Sequence, residues 1–314
     1  MSLGAYAARR LLHLVPIVLG VTILVFFLIH LVPGDPARTI LGNQATDQRV
    51  ALLRHTWGLD RPLPVQYEKF MGRLAHGDLG TSLFYNVGAG RLVVSRLPVT
   101  LWLIGFGTIL AILIGVPLAV LAATRRDRLP DHVVRVVPLV GLGFPPFWVG
   151  IVLLLVFGLH LGRLFPVGGY GSGFFGHLHS MFLPALTVAL GIVPILVRSL
   201  RVSLIEVLES DYITTARSKG IPERRVLARH GLRNAVISTV TVLGVNIGYL
   251  VGGTLLVEQV FAVPGIGQLM INSINDRDFP VVQAVTFVFA VMVVLVYLLS
   301  DLLHASLDPR VRFD

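Results

Sequence analysis

Six apolar runs divide the chain, at about Leu11–Val32, Val99–Ala123, Val136–Leu159, Met181–Leu200, Val236–Val257 and Val281–Leu303. Each holds the ~20 residues that a helix needs to cross ~30 Å of hydrocarbon. No water satisfies the backbone there, so such a run must close its own hydrogen bonds. The expected fold class is an all-α integral membrane protein with six transmembrane helices. With 54% of residues hydrophobic and 14% charged, an ordinary soluble domain of this length is excluded. The first run comes after Arg9 and Arg10, as in a signal peptide, but it is too long and lacks a small-residue cleavage pattern, so it is expected to remain as the first span.

The net charge of +9 reads as topology and not as nucleic-acid binding, because the arginines gather at the ends of apolar runs and no basic stripe alternates with aromatics. Arg125, Arg126 and Arg128 come after the second run, and a dense set from Arg201 to Arg233 comes after the fourth. The loops after the third and fifth runs carry only Arg163 and Arg277. The positive-inside rule then places both termini in the cytoplasm. The expected organisation is an amino end and first span over 1–32, a folded external loop over 33–98, and a span-bearing core over 99–314, with a cytoplasmic loop at 201–235 and tail at 304–314. In the external loop Thr46 is expected to cap a helix carrying Val50, Leu53 and Trp57 on one face up to Gly58. A second helix groups Tyr67, Phe70, Met71 and Leu74 up to Gly77. Arg91–Leu97 is amphipathic and is expected to lie along the outer interface before a turn at Pro98.

The polar stretch Asp211–Ala235 stands between the fourth and fifth runs and reads as two short helices joined at Gly220. Glycine adopts the left-handed cap without steric cost, Arg217 and Lys219 sit where the helix dipole favours cations, and Pro222 suits the restart. Pro145 and Pro146 interrupt the third run and Pro194 lies inside the fourth, and both breaks free backbone carbonyls. Gly244, Gly248 and Gly252 recur every four residues, a face on which another helix can pack closely. Asn246 and Tyr249 lie on a different side of that helix and are candidates for a translocation pathway.

Neither Lys69 nor Lys219 comes directly after a glycine, so there is no phosphate-binding loop and no ATP site of that kind. Glu258 and Asp301 lie near span ends, and no carboxylate occupies mid-span, which disfavours an ion-coupled carrier working alone. His160, His177 and His179 have no nearby carboxylate and are read as loop residues, not metal ligands, and His13 and His30 as hydrogen-bonded residues of the bundle. Ser95, Ser172 and Ser203 lack a His–acid context. No cysteine is present. The expectation is a chain that is no enzyme and has no catalytic, cofactor or metal residues.

The order and spacing of several segments nevertheless resemble one family across nearly the whole chain. They are RRLLHLVPIVLGVTILVFFLIHLVPGDPA from Arg9, WGLDRPLPVQY from Trp57, GDLGTSL from Gly77, RLFPVGGYG from Arg163, LPALTVALG from Leu183, GGTLLVEQVFAVPGIGQLM from Gly252 and RDFPVVQA from Arg277, with LDPRVR near the end. The Asp211 stretch resembles the cytoplasmic "EAA" loop of ABC-importer permeases, opening with Asp211 in place of the glutamate and carrying Ser218 where alanine is common. The chain as a whole is similar to the first permease subunit of dipeptide/oligopeptide/nickel ABC importers. That resemblance implies a type I importer permease in a bacterial cytoplasmic membrane, paired with a second, related permease. It also implies two ATPase subunits or domains that bind ATP and Mg, an external substrate-binding protein, and peptide or nickel-complex cargo. It places Asp211, Tyr212, Ile213, Ala216, Arg217, Lys219 and Gly220 at the ATPase, with Tyr212, Ile213 and Ala216 in its groove and the two cations against acids at the rim.

Overall fold

The computed structural model describes residues 12, 15–27, 36–42, 45–141, 143–161 and 164–307; His13 and His30 lie outside these. Among them there is no strand, only an isolated bridge between Thr81 and Gly88. The helices are α1 (Val15–Phe27), α2 (Pro36–Leu41), α3 (Asp47–Trp57), α4 (Leu63–Ala75), α5 (Ala89–Thr124), α6 (Leu129–Gly141), α7 (Pro146–Leu153), α8 (Gly173–Leu208), α9 (Asp211–Ser218), α10 (Glu223–Arg225), α11 (Arg233–Val260), α12 (Ile266–Asn275) and α13 (Phe279–Leu307). Helices α5, α8, the Val242–Val260 part of α11, and α13 are long and apolar enough to cross a bilayer. The described part of the first run and the stretch Pro146–His160 are shorter apolar helices.

One expectation changes here. Pro98 does not turn the chain: α5 runs unbroken through Arg91–Leu97 and Pro98 for 36 residues. Proline already holds a helical φ and removes one hydrogen bond, and a long apolar helix absorbs that loss. The third run, by contrast, is two pieces. Pro145 is extended at φ −59° and ψ 139°, as a residue before a proline must be, and α7 restarts at Pro146 before widening into a π-wound segment, Leu154–His160.

One compact unit holds residues 101–263 and 293–307 of the described chain. Its centre is α8, where Leu183, Val188, Ile192, Leu196 and Leu200 are all buried. A Cβ added at Gly107 would lie 2.7 Å from Val188 Cγ1, and one at Gly115 2.7 Å from Leu196 Cδ2. Both numbers rise by the same step on both helices, so α5 and α8 run parallel in close contact. On α11, Gly244 abuts Ser300 and Gly248 abuts Tyr297, a descending register that makes α11 and α13 antiparallel.

The second unit holds residues 15–100 and 264–292. Thr46 accepts from Arg49 N at the start of α3, and Gly58, at φ 68°, ends it. The Tyr67 hydroxyl lies 2.8 Å from that of Thr22, and the Phe26 ring stands against Tyr67 and Phe70. Buried Asp278 fastens the loop before α5: its carboxylate accepts from Ser82 Oγ at 2.5 Å and from the Leu83 and Phe84 amides at 3.2 and 3.3 Å.

Candidate functional site

Helix α8 closes at Glu209, and Ser210, extended at ψ 152°, starts α9 with Asp211 in its first turn, where the helix dipole favours an anion. Gly220, at φ 74°, ends it. Gly220 N donates to Arg217 O at 2.9 Å and Ile221 N to Ala216 O at 3.3 Å, the paired bonds of a Schellman cap. The apolar contact such a cap favours is also present, since Ile221 packs on a small core of Ile213, Ala216 and Val226.

Arg217 grips Glu223 through two bonds, at 2.7 and 3.1 Å, and this guanidinium lowers the Glu223 carboxyl below its ordinary range. The pair is exposed and therefore worth no more than ~1 kcal/mol. The Asn234 amide donates to the Tyr212 hydroxyl at 3.2 Å, bracing α9 against the foot of α11. The expected second short helix is not separate. From Pro222 the chain winds through α10 and a π-wound segment, Val226–Leu232, directly into α11. Gly231 lets this widened turn pack against Leu204 and Leu208 at the end of α8.

Ile213 and Ala216, expected in a partner's groove, are packed into the chain's own core instead, because they fall three apart on the face of α9 that covers Val226. The remaining face exposes Asp211, Tyr212, Thr214, Thr215, Arg217, Ser218, Lys219 and Gly220, beside exposed Arg224, Arg225 and Arg229. Arg217 already holds a carboxylate of this chain, whereas Lys219 and these three arginines pair with none among the described residues and are surplus cations.

Sequence reasoning missed the fastening beneath this elbow. Asp131 is wholly buried at the start of α6, just outside the third run. Arg201, near the carboxyl end of α8, donates from Nε to Asp131 Oδ1 at 2.6 Å and from Nη2 to Oδ2 at 2.7 Å, and Asp127 N adds a third bond at 2.9 Å. The guanidinium holds the Asp131 carboxyl down to about 2. Arg126 pairs with Glu209 alongside. The partners are 70 residues apart, and no local pattern connects them.

Of the three glycines, Gly244 and Gly248 touch α13, whereas a Cβ at Gly252 would meet nothing within 4 Å. The three-residue packing face therefore narrows to two. Asn246 bonds back to Val242 O at 2.7 Å, and Tyr249 is 73% exposed on another side. His160, His177 and His179 each lie 2.8–2.9 Å from a backbone carbonyl.

A family model described as binding-protein-dependent transport system inner membrane component matches residues 115–313, and the model of its N-terminal part matches residues 4–103. The chain belongs to this family. The permease is 40% identical over 308 residues to the glutathione transport system permease protein GsiC of Salmonella choleraesuis, covering 98% of this chain and 99% of that protein. It is 37% identical, with the same coverage, to GsiC of Escherichia coli K12. Its fold matches that of the inward-facing MetNI methionine ABC transporter with a TM-score of 0.58 over 69% of this chain and 96% of that one, at 17% identity. An amino acid ABC transporter with histidines gives 0.52, covering 69% and 94%, also at 17%. The permease is thus an inner-membrane ABC importer subunit that acts in transport and not as an enzyme.

Proposed function

We propose that this permease forms half of a translocation pathway for short peptides and is driven through α9 by a cytoplasmic ATPase. In this reading it has six spans with both ends inside. It pairs with a second, related permease, receives cargo from an external binding protein, and meets an ATP- and Mg-binding partner on the exposed face of the elbow. The observation that carries the proposal is the construction of α9. It is a short helix closed by a Schellman cap at Gly220, and its Ile213 and Ala216 pack on Val226 of the winding that runs into α11, so a push on it reaches the membrane helices. The surplus cations Lys219, Arg224, Arg225 and Arg229 suit an acidic rim on the ATPase. Peptide cargo is supported by the glutathione permeases to which the chain is similar, glutathione being itself a tripeptide.

Nucleotide moves such an equilibrium only through different affinities for its two states, and going from 1:99 to 99:1 takes ~5.5 kcal/mol. A yielding elbow would dissipate that. Gly220→Val tests it: the added Cβ meets nothing within 4 Å, so only the left-handed backbone is penalised. In proteoliposomes with the partner subunits, the variant is expected to insert and assemble but lose peptide-stimulated ATP hydrolysis. Normal transport by the variant refutes the coupling role.

A further inference from the structure

The unit of residues 15–100 and 264–292 carries an open cleft of about 650 Å³, within the ~300–1,000 Å³ that small-ligand sites occupy. Phe26, Phe70, Leu79 and Pro280 supply its apolar walls. Lys69 and Arg73, one helical turn apart on α4, line it, and neither side chain has a hydrogen-bond or ion-pair partner among the described residues. Opposite charge and acceptors are also present. Asp78 uses Oδ1 for Gly80 N, which leaves Oδ2, and Gln283 donates its Nε2 to Val25 O, which leaves Oε1. The wall that carries Asp78 and Asn86 is held by the buried Asp278 carboxylate. These groups therefore stand on a braced frame, which lowers the ordering cost of binding.

Two cations, one carboxylate and a carbonyl acceptor complement a molecule with a surplus of carboxylates and one ammonium. We infer that this cleft binds short acidic peptides on the external side, Lys69 and Arg73 taking carboxylates and Asp78 with Gln283 taking the ammonium. The inference rests on the peptide-permease reading above and assigns it an entry site.

The test uses the full chain in lipid nanodiscs and reduced glutathione as probe. Wild type is expected to retain glutathione at millimolar concentration and to bind the N-acetylated form more weakly. Lys69→Gln with Arg73→Gln should weaken retention at least tenfold. Asp78→Asn should remove the preference for the free amine. Unchanged retention by the double variant, or none by wild type, overturns the site. So does intact retention with loss of binding-protein-stimulated ATP hydrolysis, which would make the same cations a protein-docking surface. Failure of the wild-type assembly to import any peptide instead counts against the permease reading itself, so the two failures are distinguishable.

Discussion

Replacing Asp131 by Asn keeps the shape of the side chain and removes its charge. The amide retains one acceptor oxygen where the carboxylate offers two to Arg201, at 2.6 and 2.7 Å, and it turns an N–H₂ toward a donor. Arg201, with its side chain 13% exposed, then stands without its counter-ion. Breaking a buried pair by removing one partner typically costs ~3–5 kcal/mol. The fall of the Asp131 carboxyl from 3.8 to about 2 gives an independent figure of about 2 kcal/mol, at ~1.36 kcal/mol per tenfold change in proton affinity. We expect a loss of about 2–4 kcal/mol in detergent unfolding, with α6 released from α8. Because the folded carboxyl is the more acidic, its contribution is present above pH 3.8 and disappears as pH falls from 3.8 toward about 2. Wild type should show that acid limb and Asp131→Asn should not. In a double-mutant cycle with Arg201→Gln, the two losses should fall short of additivity by more than ~1 kcal/mol. A loss below ~0.5 kcal/mol, or strict additivity, would refute the idea that this pair fastens the two helices.

Other contrasts come from single positions. Gly244→Ala drives a Cβ into Ser300 Oγ and should cost ~1–3 kcal/mol by forcing α11 from α13. Gly252→Ala, with open space, should be neutral or slightly stabilising in the same thermal assay. Asp278→Asn weakens three bonds to the Ser82–Phe84 loop, so limited proteolysis should cut there earlier than in wild type. Glu223→Gln removes only an exposed ion pair with Arg217 and should change stability by less than ~1 kcal/mol.

The helical fold was legible because apolar length leaves the backbone no alternative in a bilayer. Helices α3 and α4 were legible because Thr46, Gly58 and Gly77 punctuate them locally. Gly220 was readable for the same reason: a left-handed cap needs only its own neighbours. The features that escaped were non-local. Whether Ile213 and Ala216 face a partner or Val226 depends on how α9 lies against the foot of α11, which periodicity within α9 does not encode. The Asp131–Arg201 pair joins two helices that no local pattern connects. Pro98 misled because a proline marks a break only where the surroundings do not hold the helix together, and α5 is held along most of its length.

The widened turn at Val226–Leu232 also sets an angle. A π-wound segment takes up one extra residue without rotating the helix beyond it, whereas the same residues wound as plain α-helix would turn the rest of α11 by ~100°. Gly244 and Gly248 would then face away from Ser300 and Tyr297. The azimuth of the whole of α11 is thus indexed at its root, and a one-residue deletion there should be better tolerated than any insertion.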